Sequence, residues 1–239
     1  MVGYRRGVAG PPQRRPPRLD RLPPAGLPAA AGPDVTGDVA TWGHVRMAGP
    51  VLDVPPAVRR LRFEQCELRG VTLPAGCREL QLVDCVVGTL DLANRQLAAF
   101  EATGTSFSAC RFLGATIAGS IDRSILTDCQ LAMSTLRMCR VTDVEFHDCP
   151  MREVDLYASV FRSVLFRSCD LEAATLAHAT FTACEMDDCR LGGVRGVDAL
   201  RGVRIGFSDL VAIVPELAQA LGIEVTFGTA EPASRSTSP

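Results

Sequence analysis

A period of five residues runs through most of this 239-residue sequence and constrains its fold more than any other feature. Every fifth residue from Ile121 to Leu191 is apolar, which a 47% hydrophobic content would produce by chance roughly once in 10⁵ trials. The residue two places earlier is uncharged each time, most often Cys, Ser, Ala or Val. The apolar positions are Ile121, Leu126, Leu131, Leu136, Val141, Phe146, Met151, Leu156, Phe161, Phe166, Leu171, Leu176, Phe181, Met186 and Leu191. We interpret this stretch as a structural repeat.

A five-residue period matches neither the 3.6 residues of a helical turn nor the alternation of a long strand. It matches a short strand with two inward side chains, one small and one large, followed by a corner that turns the chain. Repeating this unit winds the chain into a coil around a narrow core. The pattern already holds from Phe63 in a shifted frame, and four-residue steps from Leu73 to Cys77 and from Ile117 to Ile121 join the frames.

One short region departs from the pattern. Arg95 occupies a small inward position, two residues before Leu97, and Ala102 is undersized for a large one. An unpaired guanidinium inside so narrow a core would cost several kcal/mol. We therefore expect a bulge or a small loop there and predict that residues 93–105 form the most irregular part of the repeat.

Several units share a short motif in which a small residue precedes Leu by two positions. Cys129-Gln130-Leu131, Cys169-Asp170-Leu171 and Cys189-Arg190-Leu191 resemble the pentapeptide-repeat family, whose units read roughly A-(D/N)-L-x-x. The resemblance implies an all-β solenoid, a right-handed quadrilateral β-helix with 20 residues in each coil. At about 4.8 Å between coils, the repeat would form some seven coils.

The ten cysteines follow the same pattern. Nine fall on the small inward site and Cys77 falls on a large one, while Cys129, Cys149, Cys169 and Cys189 would stack in one column. No C-x-x-C spacing of a zinc site is present. We predict buried, inert thiols that act as small hydrophobic side chains, with no metal and no cofactor.

The flanks of the repeat differ from it in composition. Residues 1–60 hold 11 of the 16 prolines, and we predict a disordered Pro/Arg-rich arm over residues 1–34 and an N-terminal capping segment over residues 35–60. The repeat β-helix is assigned to residues 61–194 and a C-terminal helical cap to residues 195–227. Ser208 is the expected N-cap, and Pro215 divides the cap into two helices. Residues 228–239 are predicted to be a disordered tail.

The sequence offers no catalytic site. GxxxxGK[ST], GxGxxG and HExxH motifs are absent, and His44, His147 and His178 have no nucleophile nearby in sequence. We predict no catalytic, cofactor-binding or metal-binding residues and no enzymatic activity. Because Met1 to Pro17 contain no apolar run of signal-peptide length and no 18-residue apolar segment follows, we expect a cytoplasmic protein without membrane contact.

Two functions remain open. The first is a non-catalytic scaffold that presents a rigid surface to an unknown protein partner. The second is implied by the resemblance, because relatives bind DNA gyrase by imitating duplex DNA. Residues 61–193 contain 18 acidic residues and 12 Arg, a mild net charge of −6, with a suggestive stripe of Asp84, Asp128, Asp148 and Asp188. We expect no direct nucleic-acid binding by the repeat, and the C-terminal helices could cap the rod alone or also form a homodimer.

Overall fold

A computed structural model describes residues 17–19, 21–49 and 52–224. Eighteen strands are present: β1 (Asp34–Thr36), β2 (Val39–Gly43), β3 (Arg46–Ala48), β4 (Arg60–Glu64), β5 (Glu67–Arg69), β6 (Glu79–Val83), β7 (Val86–Gly88), β8 (Gln96–Thr103), β9 (Ser106–Ser108), β10 (Thr116–Asp122), β11 (Ile125–Thr127), β12 (Arg140–Thr142), β13 (Glu145–His147), β14 (Val160–Arg162), β15 (Leu165–Arg167), β16 (Thr180–Thr182), β17 (Glu185–Asp187) and β18 (Arg204–Ile205). A 3₁₀ helix (Val197–Leu200) precedes β18, and helices α1 (Phe207–Ala212) and α2 (Val214–Ala220) follow it.

The strands alternate between two nine-stranded sheets. One sheet contains β1 and the even-numbered strands β2 to β16, and the other contains the odd-numbered strands β3 to β17 together with β18. All neighbours pair in parallel except β1 and β2, which are antiparallel. Phe161 pairs with Val141 on one side and Phe181 on the other, so each coil of this region takes 20 residues. Parallel pairing at this interval is typical of a solenoid.

Two further faces complete each coil. They are joined by isolated parallel bridges such as Pro150 to Asp170 and Asp155 to Thr175. In chain order, the sheet of β2 is the first face, the sheet of β3 is the second, and the bridged segments around Asp170 and Thr175 are the third and fourth. The prediction of an all-β solenoid, a right-handed quadrilateral β-helix, is confirmed. No helix of the described residues is long and apolar enough to cross a bilayer.

The core is a closed column of inward side chains. Large residues stack along each face, as in the parallel ring pairs Phe146–Phe166 and Phe161–Phe181, whose centroids lie 5.0 and 4.7 Å apart. The small inward sites between them hold cysteines, alanines, valines and a few hydroxyls. Ser159 is fully buried there, donating to the carbonyl of Leu136 and accepting from the Cys139 N–H at 2.9 Å. A short hydroxyl can therefore replace a thiol without leaving a buried polar group unpaired.

The N-terminal coils fill the same column differently. Large residues occupy the small inward site of the first face at Leu61, Leu80 and Phe100, all of them buried. Phe100 precedes Ala102 by two positions, so the sizes of the two inward sites are exchanged in that coil. The ring of Phe100 contacts the rings of Phe107 and Phe112 at centroid distances of 6.3 and 6.2 Å. The ring of Phe100 therefore fills the space that the small side chain of Ala102 leaves open.

Arg95 does not enter the column. Its side chain is half-buried, and its guanidinium donates to the backbone carbonyls of Leu73 and Pro74, the latter at 3.0 Å. A bulge is present in β8 a few residues later, because the three-residue step from Leu97 to Phe100 pairs with a two-residue step from Ile117 to Gly119 in β10. Gly119 is required there, because its φ is +142° and a Cβ would fall 2.2 Å from the carbonyl oxygen of Phe100. The bulge or small loop expected within residues 93–105 is therefore present as a bulge: β8 remains an eight-residue strand through residues 96–103.

Parallel pairing extends ahead of the predicted start of the repeat. Strand β2 pairs with β4 from Val39 to Gly43, and Trp42 stacks on Phe63 with centroids 4.8 Å apart. The segment expected to cap the coils over residues 35–60 thus contributes strands to both sheets. Of the predicted Pro/Arg-rich arm, residues 1–16 and 20 lie outside the described residues, as do residues 225–239, which include the predicted tail.

The C-terminal helices close the other end of the column. The Oδ2 atom of Asp209, in α1, accepts the N–H of Cys189 at 2.9 Å, and a carboxylate oxygen of Glu216, in α2, accepts that of Gly193 at 2.7 Å. These carboxylates bond N–H groups that a further coil would otherwise pair. Pro215 lies in the first turn of the second helix, which begins at Val214, as predicted. The expected N-cap at Ser208 is wrong, since Gly206 precedes α1 and no side chain caps it.

Candidate protein-binding surface

The edges of the rod are built from residues in the left-handed backbone conformation. Among the described residues, twenty non-glycine positions have positive φ, between 46° and 59°, and most of them lie at the corners between faces. The outward side chain at such a corner projects from a rigid rung, with the next coil about 4.8 Å above it. An edge therefore displays one side chain per coil in a straight line. Because the faces follow one another in order, the edge between the second and third faces is diagonally opposite that between the fourth and first.

The first of these edges is acidic. Asp128, Asp148 and Asp188 line it and are exposed, with Ser168 between the last two and Ala109 one coil before Asp128. We call these five residues the aspartate edge. Aspartate suits the position because its short polar side chain tolerates the left-handed conformation. Local geometry is therefore one sufficient reason for the stripe.

Asp84 does not belong to this edge, which corrects the predicted stripe. It lies at the corner between the first and second faces and is buried, whereas Asp128 and Asp148 are exposed. The prediction failed because Asp84, like Asp128, directly precedes an inward cysteine. Cys85 belongs to the second face and Cys129 to the third, so the same local motif leads to two different edges.

The third face carries charges that neutralise one another. Arg152 and Arg190 both approach Asp170 at 3.5 Å and both pair with Glu172. Hydrogen bonding from Arg190 holds the pKa of Glu172 below its usual value. Exposed ion pairs of this kind contribute little to stability, and paired charges offer little to a partner.

The opposite edge combines apolar, aromatic and basic side chains. Met138, Ala158 and His178 follow one another at the corner in successive coils. On the fourth face beside them, the Arg137 guanidinium lies 4.5 Å from the centroid of the Tyr157 ring. The Tyr157 ring in turn meets His178 edge-on at 5.1 Å. Together with two arginines on the adjoining first face, these residues form what we call the methionine edge: Arg137, Met138, Arg140, Tyr157, Ala158, Arg162 and His178.

The thiols are not part of any surface site. All ten cysteines are buried and unbridged, as the repeat pattern predicted, and their thiols donate mainly to backbone carbonyls. Burial raises the pKa of Cys139 and Cys184, and hydrogen bonding with Cys129 and Cys169 raises that of Cys149. Within residues 17–19, 21–49 and 52–224, no group of His, Cys, Asp and Glu is arranged to hold a metal ion.

Of the three histidines that we considered, two lie in surface pairs. The Nε2 atom of His147 lies 2.8 Å from the Oε2 atom of Glu145, and His178 lies on the methionine edge. His44 occupies a left-handed corner near the N-terminal end. Sequence reasoning missed the methionine edge, although one signal was available: Met133 and Met138 both fall on an outward position of the five-residue pattern, where apolar residues have no core to fill.

Comparison with known proteins assigns the family. Residues 101–176 and 119–196 match the family model described as the pentapeptide repeat region, and the matched segments span most of the regular coils. Residues 101–196 of the chain form a pentapeptide-repeat region. Its cysteine-rich small sites are a variation on the alanine of the usual motif, and both residues are compact enough for the column. No curated protein matches the sequence.

Solved structures resemble this repeat protein at low sequence identity. QnrB1, a plasmid-mediated fluoroquinolone resistance protein, is 16% identical over 83% of this chain and 96% of its own, with a TM-score of 0.33. HetL, from the cyanobacterium Nostoc sp. strain PCC 7120 and involved in heterocyst differentiation regulation, is 13% identical over 69% of this chain and 86% of its own, with a TM-score of 0.33. Rfr23, from the cyanobacterium Cyanothece 51142, is 13% identical over 62% of this chain and 92% of its own, with a TM-score of 0.26.

Proposed function

We propose that this pentapeptide-repeat protein is a non-catalytic, cytoplasmic scaffold that presents a rigid surface to a protein partner. The carrying observation is the filled column: apolar side chains, thiols and bonded hydroxyls occupy the inward sites from Leu61 to Leu191. Inward side chains that fill the column leave no room inside it for a ligand. What the coils offer to other molecules is their flat faces and straight edges, held by parallel pairing in every coil.

Affinity capture from the native host, followed by reconstitution with purified components, tests the scaffold. We expect a captured protein to form a stoichiometric complex with the purified full chain. A variant with Cys149→Arg, which removes the folded column, is the control and should capture nothing specific. Failure to reconstitute any complex would exclude a scaffold function.

The second candidate is gyrase binding by DNA mimicry, and the aspartate edge is the observation that favours it. Asp128, Asp148 and Asp188 present one sign of charge along a straight line, as a phosphate backbone does. Ser168 interrupts that line and Ala109 ends it, which is why we place mimicry second. A supercoiling assay with purified gyrase separates the two candidates. Inhibition of supercoiling at micromolar protein that is lost in Asp128→Ser/Asp148→Ser supports mimicry. No effect of the wild-type chain on supercoiling excludes it.

We also propose that the C-terminal helices join two copies of the chain. Phe207, Val211, Val214 and Leu221 are exposed, and a groove of about 490 Å³ lies beside them, lined in part by Leu200. Exposed apolar side chains in this density are typical of an interface. Analytical ultracentrifugation tests the proposal: a dimer that Phe207→Ser/Val211→Ser converts to a monomer supports it, and a monomeric wild type excludes it.

A further inference from the structure

We infer that the methionine edge binds an extended, acidic segment of a partner protein. The inference rests on the proposed scaffold function and names the edge and the chemistry of its ligand. It comes from three features that coincide at this edge and have no role within the coils: exposed methionine side chains, a half-buried tyrosine held between Arg137 and His178, and arginines without carboxylate partners.

The apolar feature is the exposure of two methionines. Among the described residues from 52 to 205, the large apolar side chains that are exposed are Met138, at 76%, and Met133, at 58%. Both occupy left-handed corners, with φ of 56°, where Gly, Asn or Asp would fit at lower cost. The two residues lie in one coil and border the fourth face on either side. Methionine is a flexible, polarizable side chain that adapts to the surface of a partner.

The aromatic feature lies directly beside Met138. Tyr157 belongs to the next coil, and its ring is held between the Arg137 guanidinium and the edge-on ring of His178. Arg137 is also fixed by Asp155, with its Nε atom 3.4 Å from Oδ2 of that carboxylate. The Tyr157 ring is therefore ordered before any partner arrives. Ordered Tyr and Arg side chains are the types that contribute most to binding at protein interfaces.

The charged feature extends across the first face, with Arg140 at the start of β12 beside the corner of Met138 and Arg162 at the far end of β14. Arg140 and Arg162 are exposed, and no carboxylate of the described residues lies within ion-pair distance of either. Arg152 and Arg190 of the third face are, by contrast, both paired with Asp170 and Glu172. The methionine edge thus retains unneutralised positive charge, although the repeat as a whole is acidic.

The spacing of these arginines defines the ligand. Arg140 pairs with Val160, two residues before Arg162, so the two Cα atoms lie about 8 Å apart along the diagonal of the face. Two carboxylates separated by one residue on an extended chain are about 7 Å apart and match that distance. An apolar side chain two or three residues away would reach Met138 and Tyr157. Two arginines neutralise too few phosphates for stable binding of a nucleic acid, whereas they suit a short acidic peptide.

A displayed library of random 12-residue peptides, selected against the purified full chain, tests this inference. We expect the enriched peptides to carry paired carboxylates next to an apolar or aromatic residue. Measured by fluorescence anisotropy, the affinity of a selected peptide should fall at least tenfold in Arg140→Ser/Arg162→Ser and in Met138→Ser. The matched control, Asp128→Ser/Asp148→Ser on the opposite edge, should change it less than twofold.

Other outcomes would overturn the inference. They are enriched peptides without excess acidic residues, equal binding by the edge variants, displacement of the peptide by a single-stranded 20-nucleotide DNA, or a change of oligomeric state in Arg140→Ser/Arg162→Ser. The experiments distinguish failure of the scaffold proposal from failure of the edge proposal. If a protein captured from the host binds the edge variants as well as it binds wild type, only the proposal for the methionine edge is excluded. If no complex with a captured host protein can be reconstituted, the scaffold function itself is excluded.

Discussion

The coils from Ile121 to Leu191 and those from Val39 to Ala102 build one column by different rules. In the later region every coil has 20 residues, and a small inward residue precedes a large one. In the earlier region the first face advances by 21 residues from Trp42 to Phe63 and by 19 from Phe63 to Leu82. From Leu61 to Phe100, the small sites of its first face hold leucines and a phenylalanine. Both regions are equally buried and equally paired.

The difference shows what the fold demands of its sequence. Strand pairing depends on the backbone, so it tolerates a coil one residue longer or shorter when a corner or a bulge absorbs the change, as the bulge in β8 opposite Gly119 does. The column demands that the summed volume of inward side chains fill the space within each coil. Exchanging the sizes of Phe100 and Ala102 meets that demand without following the motif. The regular motif is thus one solution among several for filling the column.

The largest effect is expected from a charge in the regular region. Cys149→Arg places a guanidinium at a site that is 1% exposed, and we expect it to lower the free energy of unfolding by about 5 kcal/mol or to prevent folding. Gln130→Arg, at an exposed position of a neighbouring coil, should change it by less than about 0.5 kcal/mol. Urea unfolding followed by circular dichroism measures both. Equal effects would show that inward and outward positions have been confused.

A smaller effect is expected in the irregular region. Phe100→Ala should lower the free energy of unfolding by about 4 kcal/mol, because a fully buried ring leaves a cavity. If filling the column is what matters, the exchange Phe100→Ala/Ala102→Phe restores the usual order of sizes and should recover at least half of that loss. The same urea titration measures the recovery. A double variant no more stable than Phe100→Ala would instead show that the packing around Phe107 and Phe112 is specific to this coil.

The smallest effect is expected from two buried thiols, one in each region, and it tests how well each region excludes water. Burial raises the pKa of Cys77 and Cys139 above the ordinary 9.0, so the folded chain keeps protons that the unfolded chain releases. Stability is therefore complete below pH 9 and falls as the pH rises above it. Between pH 9 and 10, Cys77→Ala and Cys139→Ala should each lose about 1 kcal/mol less than wild type.

Urea unfolding at pH 7, 9 and 10 measures these losses, and Val154→Ala, a buried change without a thiol, should follow the wild-type slope. If Cys139→Ala alone reduces the alkaline loss, water reaches the N-terminal coils more readily than the regular ones. That result would contradict the equal burial of the two regions.

Much of the fold could be predicted from the repeat. Fifteen regular positions, the burial of the cysteines and the column from Cys129 to Cys189 all follow from counting in fives, because a periodic coil places equivalent residues in equivalent environments. Arg95 and Asp84 could not be placed this way. Whether a side chain at a corner or beside a bulge points inward depends on a local register shift, and its partners come from another coil.

The sequence by itself determined the unit: a short strand, a corner, and one small and one large inward side chain, since a five-residue period admits little else. The tertiary structure decided which units share an edge. Asp128 and Met138 look alike in the repeat, as outward corner residues, yet they lie on diagonally opposite edges of the rod with different neighbours. The physical reason is that an edge is assembled from residues about 20 positions apart, so one inserted or deleted residue in any coil changes which side chains meet.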